Sequence, residues 1–274
     1  MTSIVYMVAG MSSRFGGKIK QFAEVGPNNQ TLIEISINQA KKAGFNKIIF
    51  IVGEKTKISF KEKFKENFMG LQIFYAEQKF DKNIRDKPWG TSDAIVSAKN
   101  LIKENFVICN GDDLYGEEAL KIAREFLEKK QEDKIEFGCA VGYKLSKVIP
   151  ENGKTNRGIF KTDNKNNILN IVEIFNIEKN KLEEKNLNNE TLVSMNLFGL
   201  SKNVINLLEK KLLEFKKVNK NNKKIECLLP EELGKLINEK KLNLKLIPTN
   251  DDWFGVTNPE DEKIIKEKLK SYKI

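Results

Sequence analysis

Over its first 129 residues the chain alternates short, mostly apolar stretches with amphipathic ones, and this alternation limits the fold more than any other feature. Residues 4–9, 47–52, 71–76 and 106–109 have the length and composition of strands buried on both faces. Helical patterns separate them over 31–43, 58–68 and 91–101, and a fourth follows at 117–129. Strands joined by helices predict a mostly parallel sheet covered on both sides. The handedness of such crossovers then makes the expected fold α/β and doubly wound.

After 135–143 the rhythm changes. Residues 158–162, 168–174 and 192–200 are strand-like and separated by Asn/Lys-rich turns, which predicts an antiparallel or mixed extension. Helices are expected over 204–215 and 231–238, the second with Pro230 near its start, then a strand at 242–247 and a closing helix at 260–272. The Asn/Lys-rich stretches 176–189 and 216–224 read as surface loops, so a single domain over 1–274 is expected. Residues 1–135 and 136–274 are expected to form its two halves.

Composition narrows the chemistry. The chain contains no histidine, which excludes Ser-His-Asp and Cys-His nucleophilic schemes and histidine-ligated zinc. Carboxylates, lysines, arginines, backbone amides and a hard metal ion remain, and phosphoryl or nucleotidyl transfer runs on that inventory. Cys109, Cys139 and Cys227 lie far apart with no CxxC pair, so a reducing, cytoplasmic setting is expected. No apolar run approaches the ~20 residues of a membrane span. The start, MTSIVYMVAG, reads as a strand and not as a secretory signal. A formal charge of +10 is carried mainly by dispersed lysines. It fits a solvated surface, and the basic runs lack the interleaved aromatics of a nucleic-acid site.

Three motifs can carry that chemistry. After the first strand comes AGMSSRFGGKIKQ. Gly10, Gly16 and Gly17 let amides approach phosphate oxygens, and Arg14 and Lys20 add positive charge. It is neither a P-loop nor a GxGxxG fingerprint. Next, KPWGTSDAI puts Gly90 and Thr91 at an expected strand-to-helix junction, with Gln78 upstream, a turn able to meet a flat base. Finally, the fourth strand ends in VICNGDDLYG. A carboxylate released there is placed to hold magnesium beside phosphates. Asp112 and Asp113 point in different directions, so one of them is expected to bind metal. A helix cap is the plain alternative for this pair.

In that order the three motifs resemble the nucleotidyl transferases that make NDP-sugars, a group including glucose-1-phosphate uridylyl- and thymidylyltransferases. The resemblance covers most of the chain and is strongest over 4–116. It implies a nucleotide-diphospho-sugar transferase fold, with phosphate roles for Gly10, Arg14 and Lys20 and nucleotide binding at Ala9, Gly10 and Met11. Gln78, Gly90 and Thr91 resemble the base-reading segment, and Asp112 matches the magnesium aspartate. Arg157-Gly158-Ile159 resembles the segment that meets the sugar in a "YGV"-type strand, with Gly158 the acceptor-binding candidate. Glu173 resembles the glutamate of an "EKP" motif, and Asn196 in SMNLFG a sugar-contacting asparagine. The DDWFGVTNPED segment is similar to a "W-x-D-x-G-T" region that supplies a second metal carboxylate.

Two departures stand out. Ile174 replaces the lysine that follows the family's glutamate, and Gly255 stands near the place of the second aspartate, leaving Asp252 as the candidate second metal ligand. Plain alternatives exist for single residues: Trp89 and Trp253 fit packing beneath loops, and Glu173 fits a surface ion pair. The expected reaction is Mg²⁺-dependent transfer from an NTP (UTP, dTTP or CTP) to a sugar 1-phosphate, releasing pyrophosphate, without nucleic-acid or membrane partners. CTP-dependent transfer to phosphocholine or a similar phospho-alcohol is the alternative enzyme. A nucleotide-binding regulatory homologue is the alternative without catalysis.

Overall fold

The computed structural model describes residues 2–10, 15–129, 135–151, 153–256 and 261–270. Its strands are β1 (Thr2–Met7), β2 (Lys47–Val52), β3 (Asn67–Phe68), β4 (Leu71–Glu77), β5 (Asn105–Asn110), β6 (Asp113–Leu114), β7 (Glu136–Lys144), β8 (Thr155–Thr162), β9 (Ile168–Ile177), β10 (Leu192–Leu200), β11 (Leu242–Pro248) and β12 (Phe254–Gly255). Its helices are α1 (Leu32–Lys42), α2 (Lys57–Phe64), α3 (Thr91–Ser97), α4 (Glu117–Lys129), α5 (Leu145–Val148), α6 (Val204–Val218), α7 (Leu229–Asn238) and α8 (Asp261–Leu269). The main sheet runs β11-β7-β10-β5-β1-β2-β4-β3, with β8 paired to β10 and β9 to β8. Strands β1, β2, β4 and β5 are mutually parallel. β10 enters antiparallel to both β5 and β7, which makes the sheet mixed.

Helices cover both faces because the strands are apolar on both. On one face α1, α2 and α4 bury Ile33, Ile37, Phe60, Phe64 and Leu120 against Ile4, Phe50 and Val107. On the other α3, α6 and α7 bury Ile95, Val204, Leu208 and Leu233 against Val5, Ile49 and Ile108. Each such side chain contributes about 1.5–3 kcal/mol on leaving water. Among the described residues no helix is long and apolar enough to cross a membrane.

The structure corrects one element boundary. The helix expected over 58–68 stops at Phe64, and Asn67–Phe68 turns back as β3 against Leu71 and Gln72. Met69 and Gly70, with φ of 54° and 82°, supply the left-handed pair that a two-residue hairpin needs. The dipeptide is not the usual Asn-Gly, so the turn was hidden inside an apparently helical pattern. The pattern expected over 91–101 is likewise helical only through Ser97.

The topology places the parallel strands' carboxyl ends along one edge, where ligands of open α/β sheets collect. β10 runs the other way, so its beginning reaches the same edge. There its register against β7 slips between Ser194 and Phe198. Asn196 sits at the slip with φ of 61°, a conformation asparagine tolerates better than most side chains.

Phe50 is fully buried, with its ring 5.1 to 6.0 Å from those of Tyr6, Phe60, Phe64 and Tyr75. In urea unfolding, Phe50→Ala is expected to lower stability by about 3–5 kcal/mol. Phe175→Ala, at a side chain 59% exposed, should stay within about 0.5 kcal/mol of the parent.

Candidate active site

The site begins where β5 ends. Gly111 N–H donates to Met7 O at 3.0 Å, which holds the β5 turn against the end of β1. The next two residues then diverge, as expected for adjacent carboxylates. Asp112 faces the opening, and its carboxylate pairs with the Lys20 ammonium. Lys20 starts a single 3-10 turn, Lys20–Phe22, so the glycine-rich loop delivers its cation to the metal-candidate carboxylate. Ala9 and Gly10 lead out of β1 into that loop, while Met11 and Arg14 lie outside the described residues.

Asp113 points inward and is 5% exposed. Its Oδ2 accepts from Asn110 Nδ2 at 2.8 Å and lies 3.1 Å from Tyr115 Oη, which is itself 2.7 Å from Met195 O. The phenol has one proton. That single proton serves two acceptors, Asp113 Oδ2 and Met195 O. Burial, reinforced by the neighbouring Asp112 charge, pushes the Asp113 carboxyl up to about 7 against the opposing pull of Asn110, Tyr115 and Lys20. The pair is therefore no helix cap. Asp251 does that work, its Oδ2 accepting from Ala119 N–H at 2.8 Å in the first turn of α4.

β12 closes over the carboxylates by pairing Gly255 with Asp113. A Cβ at Gly255 would lie 2.6 Å from Asp113 Oδ1 and 2.3 Å from the Trp253 ring. No side chain fits there, so the place of the family's second aspartate is closed by packing. Asp252 is no substitute: the residues lining the cleft do not include it, and its carboxylate pairs with Lys147 at 3.0 Å. Among the described residues no cluster of three metal-ligating side chains exists. Asp112 alone fits magnesium, which commonly takes one or two carboxylates and completes its shell with waters and substrate phosphates.

Around Asp112 opens a cleft of about 260 Å³ that also includes Asp113, Arg157, Gly158, Glu173, Ser194, Asn196 and Trp253 in its lining. Gly158, Glu173 and Asn196 thus come from three strands to one place. Gly158 and Glu173 are cross-strand partners in β8–β9, and Gly158 also pairs with Ser194 of β10. The Glu173 carboxyl is raised by burial, an effect that the Arg157 charge opposes. Sequence reasoning had Arg157 only as the first residue of the sugar-facing segment and gave it no role as a cation, and it missed Ser194 and Pro230 as wall residues, because only pairing register brings them there.

The base-segment candidates lie elsewhere along the edge and are not in that lining. Gln78 Nε2 donates to Gly90 O at 3.0 Å and Asp93 Oδ2 at 2.9 Å. Two acceptors fix the carboxamide orientation, leaving Oε1 as its remaining polar atom. Thr91 Oγ1 accepts from Leu229 N–H at 2.8 Å. Trp89 packs as one of its alternatives expected, with the Arg85 guanidinium 3.4 Å from its ring centroid. Trp253, in contrast, lines the cleft.

Comparison with known proteins bears on family and fold. The model of the nucleotidyl transferase family matches residues 17–270. The bifunctional protein GlmU of Methanococcus vannielii is 29% identical over 216 residues, covering 78% of this chain and 42% of that protein. The chain thus spans about two-fifths of the length of that curated relative. Two solved structures share the fold. The inositol-1-phosphate CTP transferase from T. maritima has a TM-score of 0.65 at 18% identity, covering 98% of this chain and 96% of its own. The UDP-glucose pyrophosphorylase from Acinetobacter baumannii has a TM-score of 0.65 at 16% identity, covering 100% and 95%.

The Asp113 environment sets a pH slope. Its folded value lies above the unfolded one of about 3.9, so the unfolded chain gives up this proton first. The stability it contributes is complete below about pH 4 and is lost as pH rises towards and through about 7. In metal-free buffer, Asp113→Asn keeps an acceptor for Asn110 and Tyr115 but cannot ionise, so it should flatten that decline in thermal melts. An unchanged slope would show that the carboxyl is ionised in the folded state.

Proposed function

We propose a reaction from one premise: the chain belongs to the nucleotidyl transferase family. It transfers a nucleoside monophosphate from an NTP to a sugar 1-phosphate, giving an NDP-sugar and pyrophosphate. The observation that carries this reading is the cleft itself. The Lys20–Asp112 pair and the acceptor candidates Gly158, Glu173 and Asn196 meet at the sheet's carboxyl edge.

In this reading an oxygen of the acceptor phosphate attacks the α-phosphorus in line, a new P–O bond forms, and the α–β bridge breaks to release pyrophosphate. A phosphate monoester has a second pKa of about 6 and is already largely dianionic near neutral pH. No general base is needed, which suits a chain without histidine. Lys20 and the loop amides neutralise the triphosphate, and Asp112 is the magnesium ligand. Bound there, Mg²⁺ would offset the charge shared by α-phosphate and acceptor. Glu173, Asn196 and the Gly158 backbone hold the acceptor's polar groups, and Gln78 with Gly90 and Thr91 meets the base. The catalytic gain is orientation and preorganised charge.

Halves 1–135 and 136–274 act as one domain in this proposal, supported by β10 lying between β5 and β7. A reducing cytoplasm suits three cysteines that are free and buried. A second reading keeps the chemistry and changes the substrates: CTP and a phospho-alcohol such as phosphocholine. Ile174 favours it, because the lysine of sugar-specific relatives is replaced there by a side chain packed against the core.

The test is pyrophosphate release with Mg²⁺, across four NTPs paired with sugar 1-phosphates and phosphocholine. Release that depends on one sugar phosphate is expected, and Asp112→Ala should slow it by on the order of 10²–10³-fold. Release only with CTP and phosphocholine would select the second reading. Full activity in Asp112→Ala would remove the metal role.

A further inference from the structure

The cleft has a charge problem that the proposed reaction makes acute. Its described lining carries three carboxyl groups, Asp112, Asp113 and Glu173, and a single cationic residue, Arg157. An acceptor carrying a phosphate dianion must enter this surface. Lys20 is held at the Asp112 carboxylate, and position 174, which matches the lysine of the resembled "EKP" motif, is isoleucine packed against the core.

Many lysines pair with Asp or Glu across the surface, as Lys57 does with Glu77 and Lys99 with Glu209. Arg85 is fixed by backbone carbonyls, but all three of its nitrogens donate to them, at Lys87, Asn222 and Ile225. The Arg157 guanidinium too is fixed by neutral acceptors: Nη1 donates to Asn156 O at 2.9 Å and Nη2 to Val148 O at 2.7 Å. Among the described residues no carboxylate forms an ion pair with it. Its Nε is buried without a hydrogen-bond partner, and so is Trp253 Nε1. The Trp253 ring centroid lies 5.6 Å from the guanidinium carbon. A guanidinium has five N–H groups, so more than half of this one's donors remain open. Burial disfavours its charge, and Asp113 and Glu173 offset that only at a distance. A cation taken from water, oriented by carbonyls and left without a counter-charge is a preorganised anion site.

The register says which anion. In the β8–β9 ladder Arg157 stands directly opposite Ile174, and residues opposite each other across an antiparallel pair project to the same face. We propose that Arg157 binds the phosphate of the acceptor, and that the positive charge lost at position 174 has moved across the ladder to its neighbour. This rests on the nucleotidyl-transfer reading and specifies its acceptor site: a phosphate monoester held by the planar, two-pronged donor of arginine in place of a single ammonium.

Calorimetry on the full chain, without NTP, tests it with two probes, inorganic phosphate and glucose 1-phosphate. Arg157→Gln should weaken both by about tenfold or more, while NTP affinity in Mg²⁺ changes by less than about threefold. Arg157→Lys should recover part of the loss, and Arg157→Gln/Ile174→Lys should recover phosphate binding by restoring a cation on the facing strand. Thermal melts confirm that each variant is folded, and if the double variant fails to fold, Arg157→Lys alone decides the rescue. Phosphate binding equal in wild type and Arg157→Gln, or absent from both, would overturn the proposal. So would an equal loss of NTP affinity, which would place the guanidinium on the nucleotide's phosphates. Failure of the reaction itself reads differently: no pyrophosphate release with any substrate pair, while phosphate binding still depends on Arg157.

Discussion

The buried Asp113 carboxyl ties together the elements that form the cleft. Through Tyr115 it connects the end of β5 to the Met195 carbonyl at the β10 irregularity. Tyr143 Oη of β7 donates in turn to Tyr115 O at 2.6 Å. Three strands of the sheet are therefore joined by two phenols and one carboxyl at the edge where Asp112 emerges. β12 packs over the same carboxyl with a glycine, so the lid is as thin as a backbone can be. Buried polar networks of this type fix geometry only when their members are satisfied, and here one phenol serves both Asp113 and the Met195 carbonyl.

Much of this was legible in the sequence. The apolar strands and the Gly-rich turn after β1 follow from period and composition, and the carboxylates at the end of β5 could be placed because parallel strands leave their carboxyl ends on one edge. Adjacent carboxylates must diverge, so the split between Asp112 and Asp113 was also readable. Which one turns inward depends on Tyr115 and Met195, a contact between residues 80 apart, and local pattern carries no trace of it. Met69 and Gly70 were hidden for a related reason: a short hairpin with an atypical first residue blends into helical spacing.

Gln78 and Asp252 illustrate the difference between residue type and placement. A glutamine near a nucleotide site invites a role for both its donor and its acceptor, yet Gly90 and Asp93 occupy the donor. Asp252 has the right charge, but its strand-end position directs it to Lys147. Arg157 is the converse case. It sits in an unremarkable RGI triplet, and its importance emerges only from the register that faces it with Ile174.

The insertion of β10 between β5 and β7 has a consequence for biosynthesis. The chain leaves the ribosome with β1, β2, β4 and β5 able to assemble early, but the β5 edge stays open until Leu192–Leu200 arrives. That delay spans roughly 80 residues of synthesis, about 4–16 s at ordinary translation rates. During it the nascent protein exposes Phe106, Val107 and Ile108, three residues that are fully buried at the end, along an unpaired strand edge of the kind that recruits other chains. The strand that lines the cleft with Ser194 and Asn196 thus sets the interval in which the β5 edge is open to pairing with other chains.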